Sequence, residues 1–163
     1  MANLSDASGT VTLTVPTKKD LKDFLFLHAL SERHAEYHTT IIDRYGFEPT
    51  LNDYNSLDEI IENEVIEEYD SNDSYEATFY FAAVGRWCFE NNLNWFFECL
   101  KIDYKEDFLK ELKDNLKEKT ITAFFDFVDA EPGCAFIADQ EVLVTYKNGE
   151  TTINVQKNDT CDY

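Results

Sequence analysis

The sequence predicts an α+β fold, with an antiparallel-dominated sheet, helices packed on one of its faces and a C-terminal β-meander. Three observations predict it. Up to about residue 118, runs that alternate at period two are interleaved with runs whose apolar residues recur at helical spacing. Beyond that point period-two runs follow one another with only turns between them. Finally, Asn148-Gly149 sits between two alternating runs, which is the strongest short hairpin signal a sequence offers. The chain has 163 residues, 44% of them hydrophobic, with thirteen Phe and nine Tyr, so it can bury a substantial core. Five Gly and three Pro leave little room for linkers. A single domain over 1–156 with a frayed tail at 157–163 is expected.

The elements are justified in chain order. Val11, Leu13 and Val15 alternate with threonines, a half-buried strand that Pro16 ends. Thr17 with Asp20 three residues on makes a capping box for a helix to about Arg33, whose stripe is Leu21, Phe24, Leu25 and His28. Tyr37–Ile42 is β-rich. Ser56 and Glu59 then form a second capping box before Leu57, Ile60, Ile61, Val65 and Tyr69, predicting an amphipathic helix over Leu57–Tyr69. That helix carries a flaw: Glu67, Glu68 and Asp70 oppose the dipole at its C-terminal end, and no lysine at i+4 offsets them. Ala77–Val84 reads as a buried strand. Asn91 or Asn92 can cap an aromatic helix over Leu93–Leu100, and Asp103 and Glu106 open a further helix with Tyr104, Phe108, Leu112 and Leu116 on one face. Thr120–Val128, Cys134–Ala138, Glu141–Tyr146 and Thr151–Val155 are the strands of the C-terminal part, with a turn at 129–133. This order suggests a ferredoxin-like, split βαβ arrangement for the first half.

The block 85–95 (Gly-Arg-Trp-Cys-Phe-Glu-Asn-Asn-Leu-Asn-Trp), a charged helix, and Phe124-Phe125-Asp126-Phe127 before a hairpin together resemble the ferredoxin-like proteins of unknown function carried by phages and plasmids. The resemblance covers 77–146. It implies a mobile-element origin and no particular chemistry.

Charge is the main functional signal. The net charge is −19, and Tyr45–Gly85 holds eleven acidic residues and no lysine or arginine. A quarter of the chain therefore carries more than half of the excess. Solubility alone asks for a magnitude of roughly 2–8 in a small domain. Adaptation to high salt would spread acid over the whole surface, whereas here it is concentrated. A folded body with one strongly negative face repels nucleic acid and acidic membranes and attracts basic protein surfaces. The candidate partner-binding residues are Asp58, Glu59, Glu62, Glu64, Glu67, Glu68, Asp70, Asp73 and Glu76.

Little else in the sequence carries chemistry. The four cysteines at 88, 99, 134 and 161 lack zinc-knuckle or redox spacing, and the N-terminal residues show neither a basic region nor a long apolar run. Free thiols in a reducing cytosol are expected, with Cys88 and Cys99 buried among aromatics. Trp87, Trp95, Phe96 and Phe97 read as core. His34, His38 and Asp43 could form a metal site, although histidines near a helix end need no metal. Asp126, Asp129 and Glu131 could hold a divalent ion for a small metal-dependent enzyme, although acidic turn residues facing water are commoner. Asp70, Asn72, Ser74 and Glu76 alternate as in a calcium loop, but Tyr75 replaces the obligatory glycine and Phe81 the final glutamate. No phosphate loop or catalytic triad motif is present.

The expected function is that of a non-enzymatic acidic inhibitor with no cofactor and no metal. It would dock on the basic nucleic-acid-binding groove of a nuclease, CRISPR effector or restriction enzyme in the host cytoplasm, without binding nucleic acid or membrane itself. A homodimer is compatible with this. Composition of this kind is similar to that of phage and mobile-element inhibitors of restriction and CRISPR enzymes. An immunity or antitoxin protein against a basic nuclease toxin would use the same electrostatics.

Overall fold

The computed structural model describes residues 4–32, 38–42, 50–86, 88–131 and 136–162. Its centre is a seven-stranded, fully antiparallel sheet in the order β2-β4-β1-β5-β6-β7, with β3 also paired to β4. The strands are β1 (Leu4–Val15), β2 (His38–Thr40), β3 (Val65–Asp70), β4 (Tyr75–Arg86), β5 (Ile121–Glu131), β6 (Phe136–Lys147) and β7 (Glu150–Asp162). The helices are α1 (Lys18–Glu32), α2 (Leu57–Glu64) and α3 (Asp107–Leu116), with tight 3-10 turns at Leu51–Asp53, Phe89–Trp95 and Glu98–Leu100. The α+β class and the antiparallel sheet are as the sequence predicts.

Alternation along the strands sorts side chains cleanly. Val11, Leu13 and Val15 on β1 are buried, and so are Tyr75, Ala77, Phe79, Phe81 and Ala83 on β4 and Ile121, Ala123, Phe125 and Phe127 on β5. Leu21, Phe24, Leu25 and Leu27 of α1 and Leu109, Leu112 and Leu116 of α3 join them in one core. Phe81, Phe89, Phe96, Phe125 and Phe127 meet at centroid separations of 5.0–6.0 Å, several of them edge-on. Such pairs each add about 0.5–1.5 kcal/mol beyond area burial. The opposite sheet face has no such cover among the described residues: Tyr69, Tyr80, Val128 and Ile137 stand in solvent there.

The α1 capping box forms as expected. The Asp20 N–H donates to Thr17 Oγ1 at 3.2 Å and the Thr17 N–H donates to Asp20 Oδ2 at 3.1 Å. Asn148 and Gly149 both have positive φ (53° and 78°), the geometry a type I′ turn demands. Elsewhere the boundaries differ from expectation. Ser56 makes no side-chain cap, because its hydroxyl donates to the Asp53 carbonyl instead. The capping box in this region belongs to Thr50 and Asp53, opening the turn at Leu51–Asp53. α2 stops at Glu64, and Val65–Asp70 is strand β3. The aromatic segment after Cys88 forms 3-10 turns, and α3 begins only at Asp107. Residues 136–147 form one continuous strand where two were expected. Residues 157–162, expected as a frayed tail, are paired with β6. Arg33, Tyr37 and Cys134 lie outside the described residues.

Candidate functional site: an acidic edge built by α2, β3 and β4

The nine candidate carboxylates gather along one edge of the sheet. Asp58, Glu59 and Glu62 are exposed on α2, and Glu64 is half-buried at its end. Glu67, Glu68 and Asp70 are exposed on β3, Asp73 is exposed in the turn, and Glu76 is exposed on β4. Physical chemistry explains the break between α2 and β3. A helix continued to Tyr69 would place Glu67, Glu68 and Asp70 against the negative end of its dipole. Ending at Glu64 takes those three out of the helix, although Glu62 and Glu64 then stand in its last turn with no basic residue there to offset them. Val65, Ile66 and Tyr69 are residue types that favour a pleated strand. Val65 packs against the core, and a bulge between Val65 and Glu67 turns the strand onto β4.

The strand divides the carboxylates between two faces. Glu67 pairs with Thr78 and Tyr69 with Glu76, on the open face. Glu68 pairs with Ala77 and Asp70 with Tyr75, on the helix side. The result is a rim that wraps around the edge. Some of its members have partners. Lys22 of α1 reaches Asp58 at 2.8 Å, the Tyr75 hydroxyl donates to Glu68, and the Thr14 hydroxyl donates to Glu76 at 3.5 Å. Burial, and then the hydrogen bond to Glu68, push the Tyr75 hydroxyl pKa well up. The turn is held by Ser71 and Ser74, whose side chains and backbone bond to each other. Asp70 and Glu76 point to opposite faces, and a calcium loop does not form.

Tyr69 departs from the expectation of a buried helical stripe: it stands 66% exposed among the acids. Residues 67–70 carry no apolar alternation that would signal this placement; it follows from the register, which sets Tyr69 opposite Glu76 on the open face. Trp95, expected in the core, is also 66% exposed, whereas Phe96 and Phe97 are buried as expected. Trp87 lies outside the described residues.

The alternative sites do not assemble. Asp126 is exposed on the open face, whereas Asp129 is buried on the helix side, three residues along the same strand. Alternation thus separates Asp126 from Asp129 and Glu131, and the three cannot share one ion. Asp129 accepts from the Phe89 N–H at 2.7 Å, and burial raises its pKa. His34 and Asp43 lie outside the described residues, and no group of three or more His, Cys, Asp or Glu that could hold a metal occurs among the described ones. Cys99 is buried and its thiol pKa is pushed well up by desolvation, and Cys88 is also raised, so neither is a ready nucleophile.

One buried polar network was not foreseen. Asp20 and Asp23 of α1 are essentially inaccessible, yet every carboxylate oxygen is used. Asp20 accepts from Lys119 at 2.5 Å and from Asn115 at 3.3 Å. Asp23 accepts from Lys19 at 2.6 Å, from Asn115 at 3.1 Å and from the Tyr54 hydroxyl at 2.5 Å. This network ties α1 to α3 and to the segment before α2. It is saturated from within, so it positions the acidic edge rather than binding a ligand. No helix among the described residues is long and apolar enough to cross a membrane. Comparison with protein-family models, curated proteins and solved structures finds no match for this chain.

Proposed function

We propose that the chain is a non-enzymatic acidic binding protein. It docks the α2–β3–β4 rim on a basic, nucleic-acid-binding groove of another protein, in the manner of inhibitors that imitate a nucleic-acid backbone. The observation that carries this reading is that eight of the nine rim carboxylates are exposed, on elements anchored to one core, in a stretch without a single lysine or arginine. Arg and Lys side chains disposed to grip phosphate accept carboxylates by the same charge-assisted hydrogen bonds.

The spacing refines which backbone is imitated. α2 extends ~12 Å at ~1.5 Å per residue and β3 ~20 Å at ~3.3 Å per residue. Together they carry seven of the carboxylates, about one per ~5 Å of contour. Duplex DNA offers about one charge per 1.7 Å of axis and one strand about one per 3.4 Å. The rim is thus closer to a single strand than to a duplex, which favours a partner groove that holds one strand. The connectivity supports a ferredoxin-like reading of the scaffold. β1 and β2 flank β4 with α1 between them in sequence, and β4 and β5 flank β1 with α3 between them.

The test is association with purified, nucleic-acid-free restriction and guide-RNA effector nucleases across a salt series. Binding should weaken at least about tenfold between roughly 50 and 300 mM NaCl. The variant E62K/E67K/E68K/D70K should lose inhibition altogether. Undiminished inhibition by that variant, or salt-insensitive binding, would remove the rim from the mechanism.

A further inference from the structure

We propose that the face of the sheet left uncovered among the described residues is a second contact surface, which seats a basic amphipathic helix of the partner protein. The inference rests on the acidic-binding reading and narrows it: the rim supplies attraction, and this face names the element that is gripped.

Antiparallel sheets often leave one face to water, with small polar side chains on it. Two features here depart from that pattern. The first is charge. Asp6, Glu76, Asp126, Asp139, Glu141 and Asp159 all lie on this face by register, and Glu67 joins them from β3. Lys147 stands at its far end, opposite Glu150 beside the hairpin turn. Elsewhere among the described side chains, Lys157 is the only lysine or arginine on it, and it is occupied by Asp139 at 3.0 Å and Asp159 at 3.6 Å. The second feature is apolar exposure. Tyr80 is 51% exposed and Val128 46%, and Phe124 and Leu143 pair across β5 and β6 on the same face.

The relief of the face suits a helix. Ser8, Thr10 and Thr12 on β1 are small and run between Tyr80 on β4 and Phe124 and Val128 on β5. β4 and β5 are two strand spacings apart, ~10 Å, which is about the diameter of a helix with its side chains. An apolar stripe would lie along β1 between the larger walls. Lysines flanking that stripe would meet Glu76 on one side and Asp126 and Glu141 on the other. A second copy of this chain is the wrong occupant, since face-to-face pairing would oppose carboxylates to carboxylates at a net charge of −19 each. Nucleic acid and anionic membranes are repelled for the same reason.

The test uses two synthetic peptides of about 18 residues and equal positive charge, long enough for five helical turns, one a Lys/Leu amphipathic helix and the other Lys/Ser. Both are titrated into the full-length protein by calorimetry and by backbone amide NMR. The Lys/Leu peptide should bind at least about tenfold more tightly, with shifts centred on β1, β4 and β5. The variant Tyr80→Ser/Val128→Thr should bring it down to the Lys/Ser level. Asp126→Asn/Glu141→Gln should weaken both peptides about threefold, and the rim variant E62K/E68K/D70K/D73K should weaken both peptides by the same factor and leave the Lys/Leu preference over Lys/Ser unchanged. Equal binding of the two peptides, or shifts confined to α2 and β3, would overturn the proposal and leave the rim reading standing. Failure of both peptides to bind would sink both readings.

Discussion

His28 is a titratable ring placed where a phenylalanine would pack. It is 2% exposed, lies 5.0 Å from the Phe96 ring and 5.8 Å from the Phe24 ring, and its Nε2 has no hydrogen-bond partner. The nearest carboxylate oxygen, Glu32 Oε1, stands 3.7 Å from that nitrogen, beyond hydrogen-bond reach. Desolvation lowers the ring's pKa from 6.5 to about 4. The folded state therefore binds the proton less tightly than the unfolded chain, so stability is full above pH 6.5 and is lost as pH falls towards 4. Between about pH 7.5 and pH 5 this one ring should cost the fold about 2 kcal/mol, since each pH unit below the unfolded value removes about 1.36 kcal/mol. Urea titrations of the parent and of His28→Phe at the two pH values check this, because other groups cancel in the difference. An equal pH dependence in the two proteins would refute the assignment. Gly9 makes a second residue-scale prediction. A Cβ there would sit 2.1 Å from the Asp126 carbonyl oxygen, which is backbone and cannot swing away. Gly9→Ala should force β1 from β5 and cost about 1–3 kcal/mol, as overpacking does. A melting midpoint lowered by less than about 2 °C would argue against that close approach. The apolar identity of His28's site was legible from its place in the Leu21/Phe24/Leu25 stripe. The demand for glycine at position 9 was not, since it comes from Asp126 on a neighbouring strand, far away in sequence.

At the scale of elements, β3 and β7 show what a one-dimensional pattern leaves out. Leu57, Ile60, Ile61, Val65 and Tyr69 fit helical spacing, so the whole run reads as a helix. The acids at 67, 68 and 70 already signal trouble at its end, and that signal is sound. Its resolution needs β4, because an edge strand exists only by pairing with a partner. β7 is longer than its pattern suggests for a related reason. Its last residues, 156–162, are polar because they lie on an edge, and polarity there reads as a frayed tail. The register shift opposite Glu141 and Val142, where Lys157 and Val155 are the successive partners, also breaks the alternation that would have revealed a strand. By contrast α1 and the Asn148-Gly149 turn were readable because local chemistry decides them, whereas the buried face of α3 is Leu109, Leu112 and Leu116, and Phe108, expected on it, is 38% exposed. The β7 pairing makes a prediction of its own. Gln140 of β6 donates to Asn158 at 3.1 Å and to Glu90 at 3.0 Å, so the end of β7 helps to fix a buried side chain. A chain truncated after Gln156 should lose amide-exchange protection over 137–141 while keeping it over 142–146. Unchanged protection over 137–141 would mean that the pairing contributes nothing to β6. The rim and the open face follow the same division. The acids were countable from sequence, but their distribution over two faces of one edge required the register.

For the whole molecule, the net charge of −19 sets function against stability. Carboxylates crowded on α2 and β3 repel one another, and Lys22 relieves only the start of α2, where it pairs with Asp58. Screening should therefore stabilise the fold. Raising NaCl from about 10 to 500 mM shortens the Debye length from ~30 Å to a few ångströms and should add about 1–2 kcal/mol, a rise of roughly 3–6 °C in melting midpoint. The same variant that tests the rim discriminates here too. E62K/E67K/E68K/D70K moves the net charge from −19 to −11, at two units per site. If the rim is placed for binding at the expense of stability, this variant should melt higher than the parent at about 10 mM NaCl, gain less from added salt, and bind basic partners worse. The measurement is one melting series in two proteins, read beside the association constants. A variant that melts lower at low salt would show that the rim acids support the fold locally, and their excess would then need no partner to explain it. The buried ties of Asp20 and Asp23 to Lys119, Lys19 and Asn115 lie under α1 and are untouched by the four substitutions. The comparison therefore isolates the surface charge from the network that holds α1 and α3 together.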